Sequence, residues 1–132
     1  MSGCSAIAVS SRPVLVLDDD PAVRSSLKFS LEVEGFAVRD YSRASELLED
    51  MQASQAACIV LDYYLPEMNG LDMLARLHAQ HVVVPAVMIT TNPSIAVRQR
   101  AAAAGVPIVE KPLLGNALVE SIRCAMTSCS QG

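Results

Sequence analysis

Several side chains suited to metal or phosphoryl chemistry stand where short apolar runs of the sequence end. These side chains are Asp18, Asp19, Asp20, Asp62, Thr90 and Lys111. Carboxylates packed together repel one another, so such a group either holds a proton or binds a cation. Mg²⁺ prefers oxygen ligands and typically takes one or two protein carboxylates. A carboxylate can also attack phosphorus to give an aspartyl phosphate, whose charge a cation, an ammonium and a hydroxyl could stabilise.

Apolar runs and helical spacings alternate along the chain. The runs predict strands over 14–17, 36–41, 57–61, 85–89 and 107–109. The intervening spacings predict helices over 21–34, 42–51, 71–77, 94–104 and 114–125. In the second helix, Ser42 or Ser45 is the expected N-cap and Met51 is expected to face inward.

This order indicates an α/β fold, with a parallel sheet joined by right-handed crossovers and covered by helices on both faces. Ligands of such sheets bind at the carboxyl ends of the strands, near the point where strand order reverses. The chemically competent residues all follow strands, so they should meet at one edge of the sheet.

Each of these residues also has an ordinary structural explanation. Asp18–Asp20 could be a solvated loop that caps the next helix, and Asp62 could be a turn residue. Thr90 could hydrogen-bond its own loop, and Lys111 could be a surface lysine. All of these explanations would have to hold together, whereas one shared site accounts for the whole set.

Composition narrows the function classes. The 132 residues suit one domain, predicted over 13–128, with a flexible lead-in at 1–12 and a tail at 129–132. The net charge is −4 without a basic run, which argues against direct nucleic-acid binding. The apolar runs are too short to span a bilayer and no signal peptide is apparent, so a cytoplasmic location is expected. The cysteines lack CxxC or zinc spacing and are expected to be reduced thiols; they are Cys4, Cys58, Cys124 and Cys129.

At these residues the sequence resembles the response regulator receiver family of the CheY-like superfamily, in the style of FixJ-type receivers. The matching segments are VLVLDDDPAVRSSL (14–27), IVLDYYLPEMNGLDML (59–74), VMITT (87–91) and VEKPL (109–113). The resemblance covers roughly 13–127. It implies a flavodoxin-like (βα)5 receiver fold with strand order 2-1-3-4-5.

The resemblance also implies a metal site. Asp62 matches the phosphorylated aspartate and is itself a metal ligand, and Asp19 matches the acid that binds the metal directly. Asp18 matches the neighbouring acid, which acts through metal-bound water. The main-chain carbonyl of Tyr64 is the third expected protein ligand, and Asp20 lies outside the set. The expected ion is Mg²⁺, with Mn²⁺ as the alternative.

Further roles follow from the same resemblance. Thr90 matches the switch hydroxyl, and Lys111 the lysine that stabilises the phosphoryl group. Pro112 matches the cis-bonded proline that follows this lysine. Arg24 matches a basic residue common in the first helix, which supports the register of the aspartates. The stretch 66–70 matches the turn after the phosphorylation site.

The sequence departs from the family pattern at the switch. Ile108 occupies the position of the aromatic residue that turns inward on activation, and the stretch 105–111 is one residue short. Pro107 lacks a ladder donor, so this last strand belongs at a sheet edge. One explanation is a shortened loop with an aliphatic core residue. The other is an output surface that moves differently.

Tyr64 and Asn92 occupy positions that influence phosphate lifetime in this family. Both could be ordinary exposed loop residues. Alternatively, Tyr64 crowds the path of the attacking water and slows hydrolysis.

The leading prediction is a phosphorelay switch and not an enzyme, apart from assisting its own phosphorylation and dephosphorylation. The expected phosphodonor is a sensor histidine kinase or a histidine phosphotransfer protein. Phosphorylation should change the face formed by helix 4, strand 5 and helix 5, where an unknown downstream protein or a second copy would bind. The chain is expected to stand alone, with a module of a hybrid histidine kinase or larger transcriptional regulator as the alternative.

Other classes fit the sequence less well. An aspartyl-phosphate phosphotransfer enzyme needs a second acid near the acceptor, but Tyr63 and Tyr64 follow Asp62. A pseudo-receiver would lose part of the acidic and lysine set. A mononucleotide-binding domain would need a glycine-rich loop after the first strand.

Overall fold

A computed structural model describes residues 12–111 and 116–131, with side chains through Thr127. The strands are β1 (Val14–Leu17), β2 (Val38–Tyr41), β3 (Cys58–Asp62), β4 (Ala86–Thr90) and β5 (Ile108–Glu110). The helices are α1 (Pro21–Val33), α2 (Ala44–Leu48), α3 (Gly70–Ala79), α4 (Ile95–Ala103) and α5 (Ala117–Gln131), and a short 3₁₀ turn covers Ala53–Gln55.

The strands form one sheet in the order β2-β1-β3-β4-β5, with every neighbouring pair parallel. The predicted fold class and strand order are therefore confirmed. Strand order reverses between β1 and β3, which is where such sheets bind ligands. β5 is an edge strand, as Pro107 indicated. The carbonyl of Pro107 accepts a hydrogen bond from the backbone N–H of Met88 at 2.9 Å.

Side chains of the strands alternate between two hydrophobic clusters, one on each face of the sheet. Leu15, Leu17, Ile59, Leu61 and Met88 pack on the face covered by α2, α3 and α4. Val14, Val16, Cys58, Val60, Val87 and Ile89 pack on the opposite face with buried residues of α1 and α5. Both faces of the central strands are buried, which explains their continuous apolar runs.

The start of α2 differs from the prediction. The helix begins at Ala44, and neither Ser42 nor Ser45 caps it. Instead, Oε1 of Glu46 accepts hydrogen bonds from the backbone N–H groups of Ser42 and Arg43, at 2.9 and 3.2 Å. A carboxylate inside the first turn therefore organises this helix end.

The end of α2 also differs. The helix stops at Leu48, and Met51 is 94% exposed, so its predicted inward placement is wrong. Asp50 accepts hydrogen bonds from the hydroxyl of Tyr41 and from the backbone N–H of Gln52. These bonds turn the chain before Met51 can continue the helical face.

Three helices end at a residue with left-handed backbone geometry. Two residues beyond the last helical residue, Gly35 after α1 has a φ of 99°, Gly105 after α4 a φ of 73° and His81 after α3 a φ of 67°. At each end the next N–H returns to the helix, as from Val82 to the carbonyl of Leu77 at 2.8 Å. A side chain in this conformation is strained, and glycine is not.

We expect His81→Gly to raise the free energy of unfolding by about 0.5–1 kcal/mol, because it relieves this strain without removing a helical contact. The matched control is His78→Gly inside α3, which should lower it by about 1 kcal/mol. Urea denaturation measures both, and destabilisation by His81→Gly would contradict the assignment of strain.

Candidate functional site

The strand ends bring the predicted residues together at the carboxyl edge of the sheet. Asp18 follows β1, Asp62 ends β3, Thr90 ends β4 and Lys111 follows β5. The backbone N–H of Lys111 donates to the carbonyl of Thr90 at 2.8 Å, which extends the β4–β5 ladder to the lysine. Four separate segments of the sequence thus meet at one place.

Lys111 lies between two carboxylates. Its Nζ donates to Oδ2 of Asp62 at 2.9 Å and to Oδ2 of Asp18 at 3.3 Å. The side chain of Asp18 is fully buried and that of Asp62 is 9% exposed. Lys111 is therefore paired with two carboxylates and only 20% exposed, unlike an ordinary surface lysine.

Burial and charge act against each other here. Burial raises the pKa of Asp18 and outweighs the lowering by its hydrogen bond from Asp20 and by the charge of Lys111. For Lys111, burial by itself favours the neutral amine, but the hydrogen bond to Asp62 and the two carboxylate charges raise its pKa overall. The lysine is therefore an ammonium at neutral pH.

The three aspartates of the loop between β1 and α1 have different environments. Oδ1 of Asp18 accepts from the backbone N–H of Asp20 at 3.0 Å. Asp20 itself caps α1, because its Oδ1 accepts from the N–H groups of Ala22 at 2.9 Å and Val23 at 3.4 Å. Asp19 is exposed at the mouth of the site. The capping explanation therefore holds for Asp20 alone.

One carboxylate oxygen from each of Asp18, Asp19 and Asp62 lies within 4.8 Å of the other two. The Lys111 ammonium contacts two of these carboxylates, Asp18 and Asp62. The uncompensated negative charge and the all-oxygen donor set suit a divalent cation such as Mg²⁺. The chemistry of this donor set therefore fits the metal that the sequence predicts.

Thr90 adds an unpartnered hydroxyl. Its Oγ1 is buried and makes no hydrogen bond with any residue in the described ranges 12–111 and 116–131. Thr90 is therefore not bonded to its own loop, and a buried hydroxyl without a partner is costly. An oxygen-rich group bound beside Asp62 and Lys111 would satisfy it.

The loop after β3 contains contacts that the sequence did not predict. Gly70 packs so closely that a Cβ there would lie 3.0 Å from the carbonyl oxygen of Asp62. Oε1 of Glu67 accepts from the N–H of Ala44 at 2.9 Å, which joins this loop to α2. The sequence predicted only that the stretch 66–70 is a turn, and no spacing of residues indicated the Glu67 contact.

The remaining predicted positions are Tyr64, Asn92, Ile108 and Pro112. Tyr64 donates its backbone N–H to Oδ1 of Asp62 at 3.0 Å, and its side chain is 55% exposed. Asn92 has left-handed geometry, with a φ of 48°. Ile108 is half-buried against the cluster on the α2, α3 and α4 face. Pro112 lies outside the described residues.

The family model described as the response regulator receiver domain matches residues 14–123. The chain belongs to this family. It is a receiver domain of the kind found in two-component response regulators, a signalling domain whose family is generally Mg²⁺-dependent and interacts with histidine kinases.

Two curated relatives illustrate the match of this receiver domain. It is 33% identical over 124 residues to the transcriptional regulatory protein FixJ of Azorhizobium caulinodans, covering 92% of this chain and 59% of the relative. It is 33% identical over 119 residues to the response regulator protein TodT of Pseudomonas putida, covering 89% of this chain and 52% of the relative. The chain thus spans little more than half the length of these relatives.

Solved structures support the same fold. The response regulator StyR superposes with a TM-score of 0.80 at 32% identity, covering 91% of this chain and 62% of that one. The FixJ-N crystal structure gives a TM-score of 0.77 at 29% identity, covering 88% of this chain and 94% of that one. Within the described part of the receiver, no helix has the length and apolar character needed to cross a membrane.

Without divalent cations, we expect the contribution of Asp18 to the free energy of unfolding to fall as the pH rises above about 4. The pKa of Asp18 is raised on folding, so the folded chain binds its proton more tightly and loses stability as that proton leaves. Asp18→Asn should remove this part of the slope. Urea denaturation in the presence of a chelator, repeated at several pH values, measures how the free energy of unfolding depends on pH. Glu32→Gln is the control, because it removes an exposed carboxylate. The same pH dependence for Asp18→Asn and the unaltered chain would contradict the assignment.

Adjacent aspartates provide a test of the cation site. Asp19→Asn should weaken Mg²⁺ binding at least about ten-fold, because it removes a charged oxygen from the cluster. Asp20→Asn should leave binding within about three-fold, since asparagine caps a helix as well as aspartate does. Isothermal titration with MgCl₂ compares them, and a larger loss for Asp20→Asn would move the site away from Asp19.

Proposed function

We propose that Asp62 accepts a phosphoryl group from the phosphohistidine of a sensor histidine kinase or histidine phosphotransfer protein. The observation that carries this proposal is the Lys111 ammonium shared by Asp62 and Asp18, beside the unpartnered buried hydroxyl of Thr90. A nucleophile and two donors for phosphoryl oxygens thus lie together. The chain acts as a signalling switch and assists only its own phosphorylation and dephosphorylation.

The metal-binding residues are proposed to be Asp19 and Asp62 directly, Asp18 through a bound water, and the main-chain carbonyl of Tyr64. The carboxylate cluster and the oxygen preference of Mg²⁺ support this set, and Mn²⁺ is the alternative ion. When bound, the ion neutralises charge on the phosphoryl oxygens.

Transfer requires the Asp62 carboxylate to be free to attack. One of its oxygens forms the new bond to phosphorus while the bond from phosphorus to the histidine nitrogen breaks, and the electron pair leaves with the imidazole. The Lys111 ammonium then donates to a phosphoryl oxygen instead of the attacking carboxylate. The Thr90 hydroxyl donates to another oxygen and gains the partner it lacks. These donors stabilise charge that grows during transfer.

The proposed output is a change in the face formed by α4, β5 and α5, where a downstream protein binds. Thr90 ends β4, which pairs with β5, and Lys111 directly follows β5. Their movement toward the phosphoryl group therefore displaces this edge strand and Ile108 with it. The same face is proposed to form a homodimer, which sedimentation of the phosphorylated and unphosphorylated chain would test. We also propose that the domain extends over 13–128 and acts in the cytoplasm.

Incubation with acetyl phosphate and Mg²⁺ should add one phosphoryl group, detected by intact mass. Asp62→Asn or chelation of the metal should abolish the adduct, while the control Asp72→Asn on α3 retains it. Absence of an adduct on the unaltered chain, or its persistence in Asp62→Asn, would overturn the proposal.

We also propose that the exposed ring of Tyr64 slows hydrolysis by crowding the path of water to the phosphate. This ring lies edge-on to the ring of Tyr63, with centroids 4.9 Å apart. Tyr64 follows the acceptor Asp62 by two residues in the sequence. Tyr64→Ala should shorten the phosphate half-life by about three-fold or more, equivalent to about 0.7 kcal/mol of barrier. The decay of the adduct is followed by mass; an unchanged half-life would show that the ring is an ordinary loop side chain.

A further inference from the structure

The main chain of Asp18 is held by two different kinds of partner. Its N–H donates to the carbonyl of Tyr41 at 3.3 Å and so extends the β1–β2 ladder one residue beyond β1. Its carbonyl accepts instead from the guanidinium Nη1 of Arg24, at 2.8 Å. Because Asp18 is fully buried, its carbonyl needs such a donor once the strand has ended.

Arg24 is itself fixed from the other side. Its Nε donates to Oδ2 of Asp40 on β2 at 3.1 Å, and its side chain is only 19% exposed. The planar guanidinium therefore spans the end of β1, the first turns of α1 and the edge strand β2. Lys28 Nζ also approaches Oδ1 of Asp40, at 3.9 Å, but makes no hydrogen bond to Asp18.

These contacts close the β1–α1 loop into a ring of hydrogen bonds. Asp18 holds the N–H of Asp20, and the carbonyl of Asp20 accepts from the backbone N–H of Arg24 at 2.9 Å. The Arg24 side chain then returns to the carbonyl of Asp18. Asp19 lies inside this ring, so its main-chain position is determined by the residues on either side.

We propose that Arg24 is a positioning residue for the cation, holding Asp18 and Asp19 in the arrangement that binds it. This role rests on the proposed function, because it concerns the same Mg²⁺ site. Electrostatics alone predicts the opposite effect, since a guanidinium near the site repels a divalent cation. The sign of the change in affinity therefore separates positioning from simple charge.

The test compares Arg24→Gln, Arg24→Lys and Lys28→Gln by isothermal titration with MgCl₂. Arg24→Gln should weaken Mg²⁺ binding about ten-fold, the loss typical when a group that orients a metal ligand is removed. Arg24→Lys keeps the charge but not the planar fork, so it should also bind more weakly than the unaltered chain. Lys28→Gln is the control, because it removes a positive charge from the same helix and near the same Asp40 but does not alter the β1–α1 loop. The affinity of this variant for Mg²⁺ should stay equal or rise slightly.

Phosphorylation by acetyl phosphate supplies a second readout. In Arg24→Gln the Mg²⁺ concentration for half-maximal rate should rise about ten-fold, while the rate at saturating Mg²⁺ stays within about two-fold. General loss of structure would instead lower the saturating rate.

Unchanged or tighter Mg²⁺ binding by Arg24→Gln would overturn the role of Arg24 and leave the proposed function standing. If Arg24→Gln does not fold, Arg24→Lys decides, and Mg²⁺ affinity equal to that of the unaltered chain would overturn the role in the same way. Absence of Mg²⁺ binding by the unaltered chain would overturn the proposed function together with this inference.

Discussion

The ion pairs of Lys111 with Asp62 and Asp18 are the interaction on which the site depends. They join residues 49 and 93 positions apart in the sequence, so they form only when β1, β3 and β5 end at the same edge of the sheet. Charges removed from water in this way are tolerated when they are paired and hydrogen-bonded. The pairing thus links the chemistry of the site to completion of the fold.

The parallel sheet supplies that convergence. The central strands β1, β3 and β4 are buried on both faces by alternating side chains. Asp62 and Thr90 are the last residues of β3 and β4, and Asp18 and Lys111 directly follow β1 and β5, so all of them lie at the carboxyl edge. This explains why the sequence predicted the meeting of Asp62, Thr90 and Lys111 from topology alone. The alternation of apolar runs and helical spacings predicted a parallel sheet. Its strand order was implied only by the resemblance to the receiver family.

Other features depend on contacts between residues whose spacing in the sequence follows neither helix nor strand periodicity. Glu46 organises the start of α2 and Asp50 turns the chain at its end, so the serine caps and inward Met51 expected from local spacing do not occur. The bonds of Glu67 to α2 and of Arg24 to Asp18 join residues by geometry that only the folded chain defines. The role of Asp20 as a cap lay within the sequence, because it directly precedes Pro21 at the start of a helix.

Ile108 connects the packing of β5 to the proposed change on phosphorylation. Its half-buried position against the core suits an aliphatic packing residue, and β5 places it three positions before Lys111. A lysine that exchanges carboxylates for phosphoryl oxygens would pull on this short edge strand. The extent of that movement separates an ordinary switch from an altered one.

The most direct measurement is a crystal structure with Mg²⁺ and beryllium fluoride, which mimics a phosphoryl group. The account predicts beryllium bound to Asp62, with Lys111 Nζ and Thr90 Oγ1 each contacting a fluoride and Lys111 drawn away from Asp18. A mimic bound elsewhere, with Lys111 still on both carboxylates and Thr90 still unpartnered, would contradict it.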